Sequence, residues 1–471
     1  MSEEIFDLIV IGAGPGGYVA AIRASQLGLR VAVVEQRAAL GGVCLNEGCI
    51  PSKALLDSSE HFALARDKFA SHGIDIAPPV LNLSKMMARK EAVVKKLTDG
   101  IAYLFKKHRI TRFHGAAKIV PAAATGRHAV AVIAEDGQKL IQGTRILLAT
   151  GSLPVEIPAL PVDGVNVVDA KGALALSAVP RHLVVIGAGY IGLELGSVWR
   201  RLGAEVTVVE MLPQMLPVAD RKVAETLMRS LKKQGMAFRM GTRLTGATIR
   251  EGDIELHLEA GEERETLNCD QVLVAAGRKP NLPAIDLAGE RLALDASGRI
   301  KVDANYETSI PGIHALGDLI PGPMLAHKAS EEGVVFAERL LDIAAQVKYE
   351  FIPGIIYTWP EAASVGKSEE ALQQEAIPYA VGSFNFMANG RACCMDETEG
   401  FAKVLAHRET GKVLGVHIVG PRASELIAEA VAVMSYHGTA HEMATLFHAH
   451  PTLAEALKEA ALAVNNAAIH A

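Results

Sequence analysis

The feature that most constrains this chain is a duplicated segment. Residues 8–35, LIVIGAGPGGYVAAIRASQLGLRVAVVE, recur at residues 183–210 as LVVIGAGYIGLELGSVWRRLGAEVTVVE. The glycines and the closing glutamate coincide at one constant offset of 175 residues, as in Gly12 and Gly187. A single long-range copy predicts a duplicated domain, whereas solenoid proteins show many short repeats.

Each copy has the pattern of a strand, a tight turn, a helix and a second strand. An apolar run leads into GxGxxG, and the second apolar run closes on a glutamate. This is the Rossmann fingerprint, in which glycines let the backbone approach a pyrophosphate at a helix N-terminus and the carboxylate binds ribose hydroxyls. The predicted contacts are Gly12, Gly14, Gly17 and Glu35 in the first copy and Gly187, Gly189, Gly192 and Glu210 in the second.

The second copy predicts its own cofactor. A carboxylate at Glu210 repels the 2′-phosphate of NADP and suits the free 2′-hydroxyl of NAD. Residues 211–213, MLP, follow without an arginine. The second site is therefore predicted to bind NAD.

Length and charge exclude several classes of protein. A chain of 471 residues predicts two to four domains. The net charge of -6 and the lack of a basic block argue against nucleic acid or an anionic membrane as partner. No apolar run reaches the roughly 18 residues of a membrane span, and a strand-like run from Ile5 leaves no room for a signal or transit peptide. These features predict a cytoplasmic location.

Two cysteines follow the first copy directly, Cys44 and Cys49 within GGVCLNEGCIPSK. In a regular helix their Cα atoms would be roughly 8.6 Å apart, while a disulfide needs about 4.4–6.8 Å. A disulfide therefore requires a distorted turn, and Gly48 and Pro51 favour an irregular entry into a helix. Thiols at a helix N-terminus ionise more readily. The pair indicates redox chemistry, with two buried structural cysteines as the alternative.

The other three cysteines give no comparable pattern. An odd total of five does not suit a secreted disulfide framework and fits a reducing compartment. Cys269, Cys393 and Cys394 are predicted to be inert. The last two are adjacent, but no neighbouring Cys or His completes a metal site, so no metal is predicted.

Three further strands end on small residues that let chain and cofactor approach closely: RILLATGS, QVLVAAGRKPN and IHALGDL. Asp318 in the last is either an acceptor for a polyhydroxyl chain such as flavin ribitol, or an N-cap or turn aspartate. From about residue 348 short strands and alanine-rich helices predict a separate α+β domain. Within it, HAHPTLAE (residues 448–455) places two histidines before a proline at a predicted helix start, where both structural and catalytic roles remain open.

Together these features resemble the pyridine nucleotide-disulfide oxidoreductases over essentially the whole chain. Within that family, CLNEGCIPSK, LAHKASEEG and HAHPTLAEAL are similar to the flavoproteins that reoxidise lipoyl groups with NAD. Glutathione and trypanothione reductases differ at Ser52 and Glu210, and mercuric reductases usually carry a C-terminal cysteine pair. Another disulfide or mercuric reductase, or a non-catalytic flavin-binding scaffold subunit, remains the alternative.

The resemblance implies an α/β fold with two Rossmann-like dinucleotide-binding domains and a C-terminal α+β dimerisation domain. The implied order is an FAD-binding domain (1–150), an NAD-binding domain (151–277), a central segment completing the FAD site (278–347) and a dimerisation domain (348–471). A homodimer is implied, with a lipoylated acyltransferase of a 2-oxo acid dehydrogenase complex or the glycine-cleavage carrier protein as partner.

The resemblance also implies residue roles. Cys44 would exchange with the substrate sulfur, Cys49 would lie against the flavin, and His450 would be a base oriented by Glu455. The implied FAD contacts are Gly12, Gly14, Gly17, Glu35, Cys44, Lys53, Ala116, Thr150, Gly151, Ser152, Asp318, Met324, Leu325, Ala326 and His327. The implied NAD contacts are Gly187, Gly189, Tyr190, Ile191, Gly192, Glu194, Glu210 and Gly277.

Two charged residues near the cysteines need separate comment. Lys53 lies one helical turn after Cys49 and would pair with Glu194 near the flavin, although Glu194 also suits a helix start on electrostatic grounds alone. Glu47 stands where the family often has an apolar residue. A carboxylate facing the cysteines would oppose thiolate formation, so Glu47 is predicted to point away.

Overall fold

The computed structural model describes residues 5–120, 127–250, 252–289 and 291–470. Up to residue 154 the elements are β1 (Ile5–Ile11), α1 (Pro15–Gln26), β2 (Val31–Glu35), α2 (Gly42–Glu47), α3 (Cys49–Asp67), α4 (Leu83–Lys107), β3 (Thr111–His114), β4 (Ala116–Val120), β5 (His128–Ala134), β6 (Gly137–Leu148) and β7 (Ser152–Pro154). Up to residue 280 they are β8 (Val167–Val168), α5 (Ala170–Ala173), β9 (His182–Ile186), α6 (Tyr190–Leu202), β10 (Glu205–Glu210), α7 (Arg221–Lys233), β11 (Met236–Met240), β12 (Arg243–Arg250), β13 (Asp253–Ala260), β14 (Glu263–Cys269), β15 (Gln271–Val274) and β16 (Arg278–Pro280). The remaining elements are β17 (Ile313–Ala315), α8 (Ala326–Arg339), β18 (Gly354–Ile356), β19 (Glu361–Gly366), α9 (Glu369–Gln374), β20 (Tyr379–Asn385), α10 (Gly390–Cys394), β21 (Phe401–His407), β22 (Val413–Gly420), α11 (Ala423–Ser435), α12 (Ala440–Thr445) and α13 (Glu455–Ala463).

The chain divides into two compact units. The first comprises Met1–Ala54, Ser84–Val155 and Gly277–Tyr349, and the second comprises Leu55–Leu83, Glu156–Ala276 and Glu350–Ala471. This division groups the chain differently from the four predicted domains, whose boundaries stay a prediction.

The first unit is built on one mixed sheet. Its strand order is β3-β2-β1-β6-β5-β4, and β17 pairs with β6. Strands β1, β2 and β3 run parallel to one another, and the C-terminal half of β6 runs parallel to β1. Strand β2, VAVVE, is buried at every position, as expected for a parallel strand covered on both faces.

Helices α1 and α8 pack closely within this unit. A Cβ at Gly333 of α8 would lie 2.7 Å from the carbonyl oxygen of Gly16 in α1. The absence of side chains at this crossing therefore lets the two helix backbones approach each other. Both helices begin at the carboxyl end of the sheet, where ligands of such folds bind.

The second unit contains a parallel sheet and an antiparallel sheet, each with its own core. The parallel sheet has the order β11-β10-β9-β15-β8, and the antiparallel sheet has the order β18-β19-β22-β21-β20. Helices α11 and α13 contribute their buried faces to the core of the antiparallel sheet. A separate three-stranded sheet, β12-β13-β14, completes the unit.

The predicted fold class is confirmed. The repeat forms β1-α1-β2 and β9-α6-β10, each a parallel βαβ unit, and the C-terminal part is an α+β sheet with helices. Among the described residues, no helix combines the length and apolar character that crossing a membrane requires.

Candidate active site

The first glycine turn lies between β1 and α1. Gly12 has φ +99°, and a Cβ there would overlap the carbonyl oxygen of Ala149. A Cβ at Gly17 would overlap the carbonyl oxygen of Gly12. The turn therefore excludes side chains by sterics and presents backbone to a ligand. Gly14 caps α1, whose first helical residue is Pro15.

Glu35, at the end of β2, is tied to the same turn. Its Oε2 accepts a hydrogen bond from the Ala13 amide at 2.8 Å, and its Oε1 accepts one from the Arg37 amide at 2.9 Å. The side chain is held at the lip of the turn, where a ribose would lie. Ala116 begins β4 next to Gly115, whose amide donates to the Glu35 carbonyl at 3.0 Å.

The second glycine turn repeats this geometry atom by atom. Gly187 has φ +112°, and its Cβ would lie 2.5 Å from the carbonyl oxygen of Ala275. Glu210 accepts from the Ala188 amide at 2.8 Å and from the Leu212 amide at 2.9 Å. Both donors stand 175 residues after their counterparts in the first copy. The duplication therefore extends to side-chain hydrogen bonding.

The remaining predicted residues of the second site lie at the start of α6, except Gly277, which lies between β15 and β16. Tyr190 and Ile191 are the first residues of the helix, with Gly189 as N-cap. Glu194, one turn further, is buried and accepts from the Tyr357 amide at 3.0 Å. Gly277 has φ +113° and lies in the first unit, where its carbonyl accepts from Val155.

The two cysteines flank a break between two helices. Cys44 lies in the short helix α2, and Cys49 is the first residue of α3. Gly48 separates them with φ −141° and ψ −113°, well outside helical geometry. The distorted turn predicted from the spacing is confirmed, and Cys49 has the helix N-terminal position that favours a thiolate.

The two cysteines are thiols in contact with each other. The side-chain hydrogen bond between Cys44 and Cys49, burial, and the charge of Cys49 together raise the pKa of Cys44, while the charge of Lys53 opposes the shift. Because Cys49 raises the pKa of Cys44, the pair disfavours a second negative charge. Cys44 is half-buried against the core of the first unit, and Cys49 is exposed.

The cysteine segment touches the first glycine turn. A Cβ at Gly42 would lie 2.6 Å from the Cα of Gly14, so two glycines meet backbone to backbone. The Asn46 amide group donates to the carbonyls of Leu40 and Gly42 at 3.0 and 2.8 Å. These contacts bring the thiol pair beside the predicted pyrophosphate site.

Glu47 forms an ion pair with Arg37, with 2.9 Å between Oε1 and Nη1. The positive charge of Arg37 therefore lies next to the negative charge of Glu47. The partner of Glu47 could not be read from the sequence, because the two residues are ten positions apart and in different elements.

A second group of predicted residues converges at the end of β6. Thr150 Oγ1 donates to the Asn281 carbonyl at 2.9 Å, and the Asn281 amide donates to the Gly151 carbonyl at 2.8 Å. Ser152 Oγ donates to Asp318 Oδ2. Asp318 caps no helix through its side chain but lies within a single 3-10 turn, Gly317–Leu319, so its contact with flavin ribitol stays a prediction beside the alternative of a turn aspartate.

The segment 324–327 opens helix α8. Leu325 is the N-cap, no side chain caps the helix, and Ala326 and His327 are its first residues. The first-turn amides of a helix lack intrahelical partners and attract anions or hydroxyl oxygens. Met324 and Leu325 are half-buried and His327 is exposed.

The two histidines of the C-terminal motif differ in burial. His448 lies 2.8 Å from Glu429, and its side chain is only 5% exposed. His450 Nδ1 lies 2.9 Å from Glu455 Oε1, and its side chain is 78% exposed. Burial opposes ionisation of Glu455, but hydrogen bonds from the Thr452 amide and His450 lower its pKa. Glu455 therefore holds the His450 ring through Nδ1, while most of the His450 side chain is exposed.

Comparison with known proteins decides the family. The chain matches the family model "Pyridine nucleotide-disulphide oxidoreductase" over residues 6–333 and its dimerisation domain over residues 352–461. The chain belongs to the pyridine nucleotide-disulphide oxidoreductases.

Within this family, the chain is similar over nearly its full length to proteins named dihydrolipoyl dehydrogenase. The chain is 47% identical to dihydrolipoyl dehydrogenase 1, mitochondrial, of Arabidopsis thaliana, over 98% of this chain and 91% of the relative. It is 48% identical to dihydrolipoyl dehydrogenase 3 of Pseudomonas putida, over 98% and 99%. Among solved structures, LpdA from Mycobacterium tuberculosis has a TM-score of 0.88 at 26% identity, over 96% and 98%.

As a pyridine nucleotide-disulphide oxidoreductase, the protein uses FAD and NAD. The two glycine turns fit such groups, since each forms a cradle that a Cβ would fill. Which residues touch each cofactor stays a prediction.

Several residues at the site were not singled out from the sequence. Arg278 donates from Nε to Ser152 Oγ and from Nη2 to the Ser152 carbonyl, both at 2.7 Å. It thereby braces the hydroxyl that binds Asp318. The sequence signal was a cation and an asparagine in GRKPN, which ends the predicted strand segment QVLVAAGRKPN, but the partners of these two residues lie about 130 positions away.

The role of Glu210 can be tested with a near-isosteric change. Glu210→Gln keeps an acceptor for the Ala188 amide but removes the charge that excludes a 2′-phosphate. We expect kcat/KM for NAD to fall by about tenfold, the usual effect of losing one charged hydrogen bond, and kcat/KM for NADP to rise. Steady-state assays with both cofactors give the ratio. An unchanged preference would show that Glu210 does not select the cofactor.

Proposed function

We propose that the protein oxidises protein-bound dihydrolipoyl groups to lipoyl with NAD⁺ as acceptor, through FAD and a redox disulfide of Cys44 and Cys49. The observation that carries the proposal is the thiol pair at the Gly48 break, held against the first glycine turn. Full-length relatives named dihydrolipoyl dehydrogenase support the choice of substrate.

The proposed reaction begins with proton removal. His450, oriented through Nδ1 by Glu455, takes a proton from one substrate thiol at Nε2. The resulting thiolate attacks Cys44 of the disulfide and releases Cys49 as a thiolate. The second substrate sulfur then attacks the first substrate sulfur in the mixed disulfide, its proton passes to Cys44 as the departing thiol, and the lipoyl ring closes. The proton held by His450 is released to solvent.

Two electrons thereby pass from the substrate dithiol to the cysteine pair. FAD held at the first glycine turn would supply the chemistry that returns the cysteine pair to a disulfide and delivers hydride to NAD at the second. The cysteine pair is left ready for another dithiol, so the two substrates react in separate half-reactions. Ping-pong kinetics are the expected signature.

The proposal includes a homodimer in which His450 acts on the thiol pair of the other subunit. A dimerisation domain spans residues 352–461, and near His450 the side chain of Phe447 is fully exposed. The base and the thiols lie at opposite ends of the sequence, which a site shared between chains would accommodate. The protein that carries the lipoyl substrate would be a lipoylated acyltransferase or the glycine-cleavage carrier protein. The cytoplasmic location stays a prediction.

A substrate comparison tests the function. Purified protein should oxidise dihydrolipoamide with NAD⁺, and dihydrolipoamide alone should produce a long-wavelength charge-transfer band from a thiolate beside oxidised flavin. NADH-dependent reduction of glutathione disulfide or mercuric ion should be slow. Faster turnover of either would favour another reductase on this scaffold, and no spectral change with dihydrolipoamide would favour a non-catalytic subunit.

A further inference from the structure

Helix α8 carries a buried ion pair that the proposed reaction does not use. Lys328 and Glu332 lie one turn apart in the motif LAHKASEEG, with 2.9 Å between Nζ and Oε1. Their side chains are 1% and 0% exposed. Removing two charges from water opposes folding, and apolar residues of similar volume often stabilise a protein as well or better. Such a pair therefore calls for a role other than stability.

Both charged side chains form hydrogen bonds with the same residue, Gly317. Glu332 Oε2 accepts from the Gly317 amide at 2.8 Å, and Lys328 Nζ donates to the Gly317 carbonyl at 3.0 Å. Gly317 has φ +70°, a conformation that glycine adopts readily. The pair thus holds Gly317 through its amide and its carbonyl at once.

The pair is itself held in place. Tyr349 donates to Glu332 Oε1 at 2.8 Å. Burial, the hydrogen bond with Tyr306 and the charge of Glu332 raise the pKa of Tyr349, so this hydroxyl remains a donor. The stem of Lys328 lies against Gly322, where a Cβ would be 2.7 Å from Lys328 Cε. Neither charged side chain has room to move.

The residue after Gly317 is Asp318. Every other residue from 313 to 320 is buried, and Asp318 alone is half-buried. Its carboxylate accepts from Ser152, whose hydroxyl accepts from Arg278 at 2.7 Å. Asp318 is therefore fixed through its side chain by Ser152 and through the preceding residue by the ion pair.

We infer that the buried Lys328–Glu332 pair is a positioning device for the FAD site, which sets Gly317 so that the Asp318 carboxylate meets the flavin ribitol. Neither charged side chain acts on FAD directly. The inference rests on the proposed contact between Asp318 and FAD, which the single change Asp318→Asn tests on its own.

The first experiment measures FAD affinity by fluorescence titration of the apoprotein. The double variant K328M/E332M replaces both charges with apolar side chains, so no unpaired charge is left buried. We expect its dissociation constant for FAD to rise by about tenfold or more, as when a residue that orients a ligand-binding group is lost. The Gly317 amide and carbonyl lose their partners in this variant, so thermal unfolding of the apoprotein should move to lower temperature, as expected for buried groups left without hydrogen bonds.

A second buried pair supplies a matched control. Lys403 and Asp220 lie 2.6 Å apart in the second unit, with side chains 2% and 0% exposed. The double variant K403M/D220N keeps the N-cap of α7 and should bind FAD as wild type does. Equal loss of FAD affinity in both double variants would show a general effect of charge removal and overturn the inference.

A double-mutant cycle separates positioning from general damage. If the pair acts through Asp318, K328M/E332M should weaken FAD binding much less in the Asp318→Asn background than in wild type. Additive losses, or unchanged FAD affinity in K328M/E332M, would overturn the inference. Should that variant fail to fold, Glu332→Gln and Tyr349→Phe provide milder changes for the same cycle. Absence of dihydrolipoamide oxidation by the wild-type protein with FAD bound would instead count against the proposed function and leave this inference standing.

Discussion

Replacing Cys49 by serine is expected to abolish dihydrolipoamide oxidation, lowering kcat by a factor on the order of 10⁴ or more. A serine hydroxyl cannot form the disulfide through which electrons leave the substrate. FAD should stay bound, and NADH should still reduce it, because hydride transfer uses the second nucleotide site. Steady-state turnover and flavin absorption after addition of NADH measure the two halves of the reaction separately.

The companion variant Cys44→Ser tests the direction of the relay. It should be as inactive as Cys49→Ser, but its remaining Cys49 thiolate should give a long-wavelength band without any reductant. The Cys49→Ser variant should lack that band. Cys393→Ser, which alters another exposed cysteine, serves as a control with wild-type turnover. A band in Cys49→Ser instead of Cys44→Ser would reverse the assigned roles.

Replacing His450 by glutamine is expected to lower the rate of thiol-disulfide exchange by about 10²–10⁴-fold, the range for loss of a general base. Glutamine keeps polarity but cannot take the substrate proton. Stopped-flow reduction by dihydrolipoamide should slow, while flavin reduction by NADH should not. A near-normal rate of exchange would remove His450 from the mechanism.

His448 provides a matched control two residues away. It is buried against Glu429, so His448→Gln should affect stability more than exchange. Glu455→Gln should give an intermediate loss of exchange rate, since it keeps a hydrogen-bond partner for His450 Nδ1 but replaces the carboxylate that orients the ring with a neutral amide.

Mixing the inactive variants tests whether the site is shared between subunits. A heterodimer of Cys49→Ser and His450→Gln chains contains one site with both functional residues if His450 acts across the interface. Random reassociation of equal amounts should then restore about a quarter of wild-type activity, because half of the dimers have one intact site of two. No recovery after verified exchange of subunits would place the base and the thiols in the same chain.

Local features of the site follow from the sequence because the residues that form them are close in the chain. Both glycine turns form as predicted, since Gly12 and Gly187 stand where a Cβ would meet the neighbouring strand. The break between Cys44 and Cys49 follows from a spacing that a regular helix cannot bridge. His450 and Glu455 meet at 2.9 Å within one short motif.

Features that depend on distant contacts were not predicted. Arg278 and Ser152 are separated by 126 residues in the chain. No sequence pattern indicates that their side chains form a hydrogen bond. The local pattern HAH does not separate its two histidines, and the family resemblance alone assigned the base to His450. The structure adds that the His448 side chain is buried against Glu429, whereas the His450 side chain is exposed. A lysine and a glutamate four residues apart are typical of an ion pair on the exposed face of a helix. The packing of α8 instead buries both side chains almost completely.

The sequence by itself determined the repeated nucleotide-binding units, the class of cofactor and the redox pair, because these depend on glycine sterics, alternation of apolar runs and spacing over a few residues. The tertiary structure alone decided which side chains brace those parts: Arg278 on Ser152, and the ion pair on Gly317. Hydrogen bonds and buried charges depend on distances between residues far apart in the chain, and those distances exist only after the strands and helices have packed.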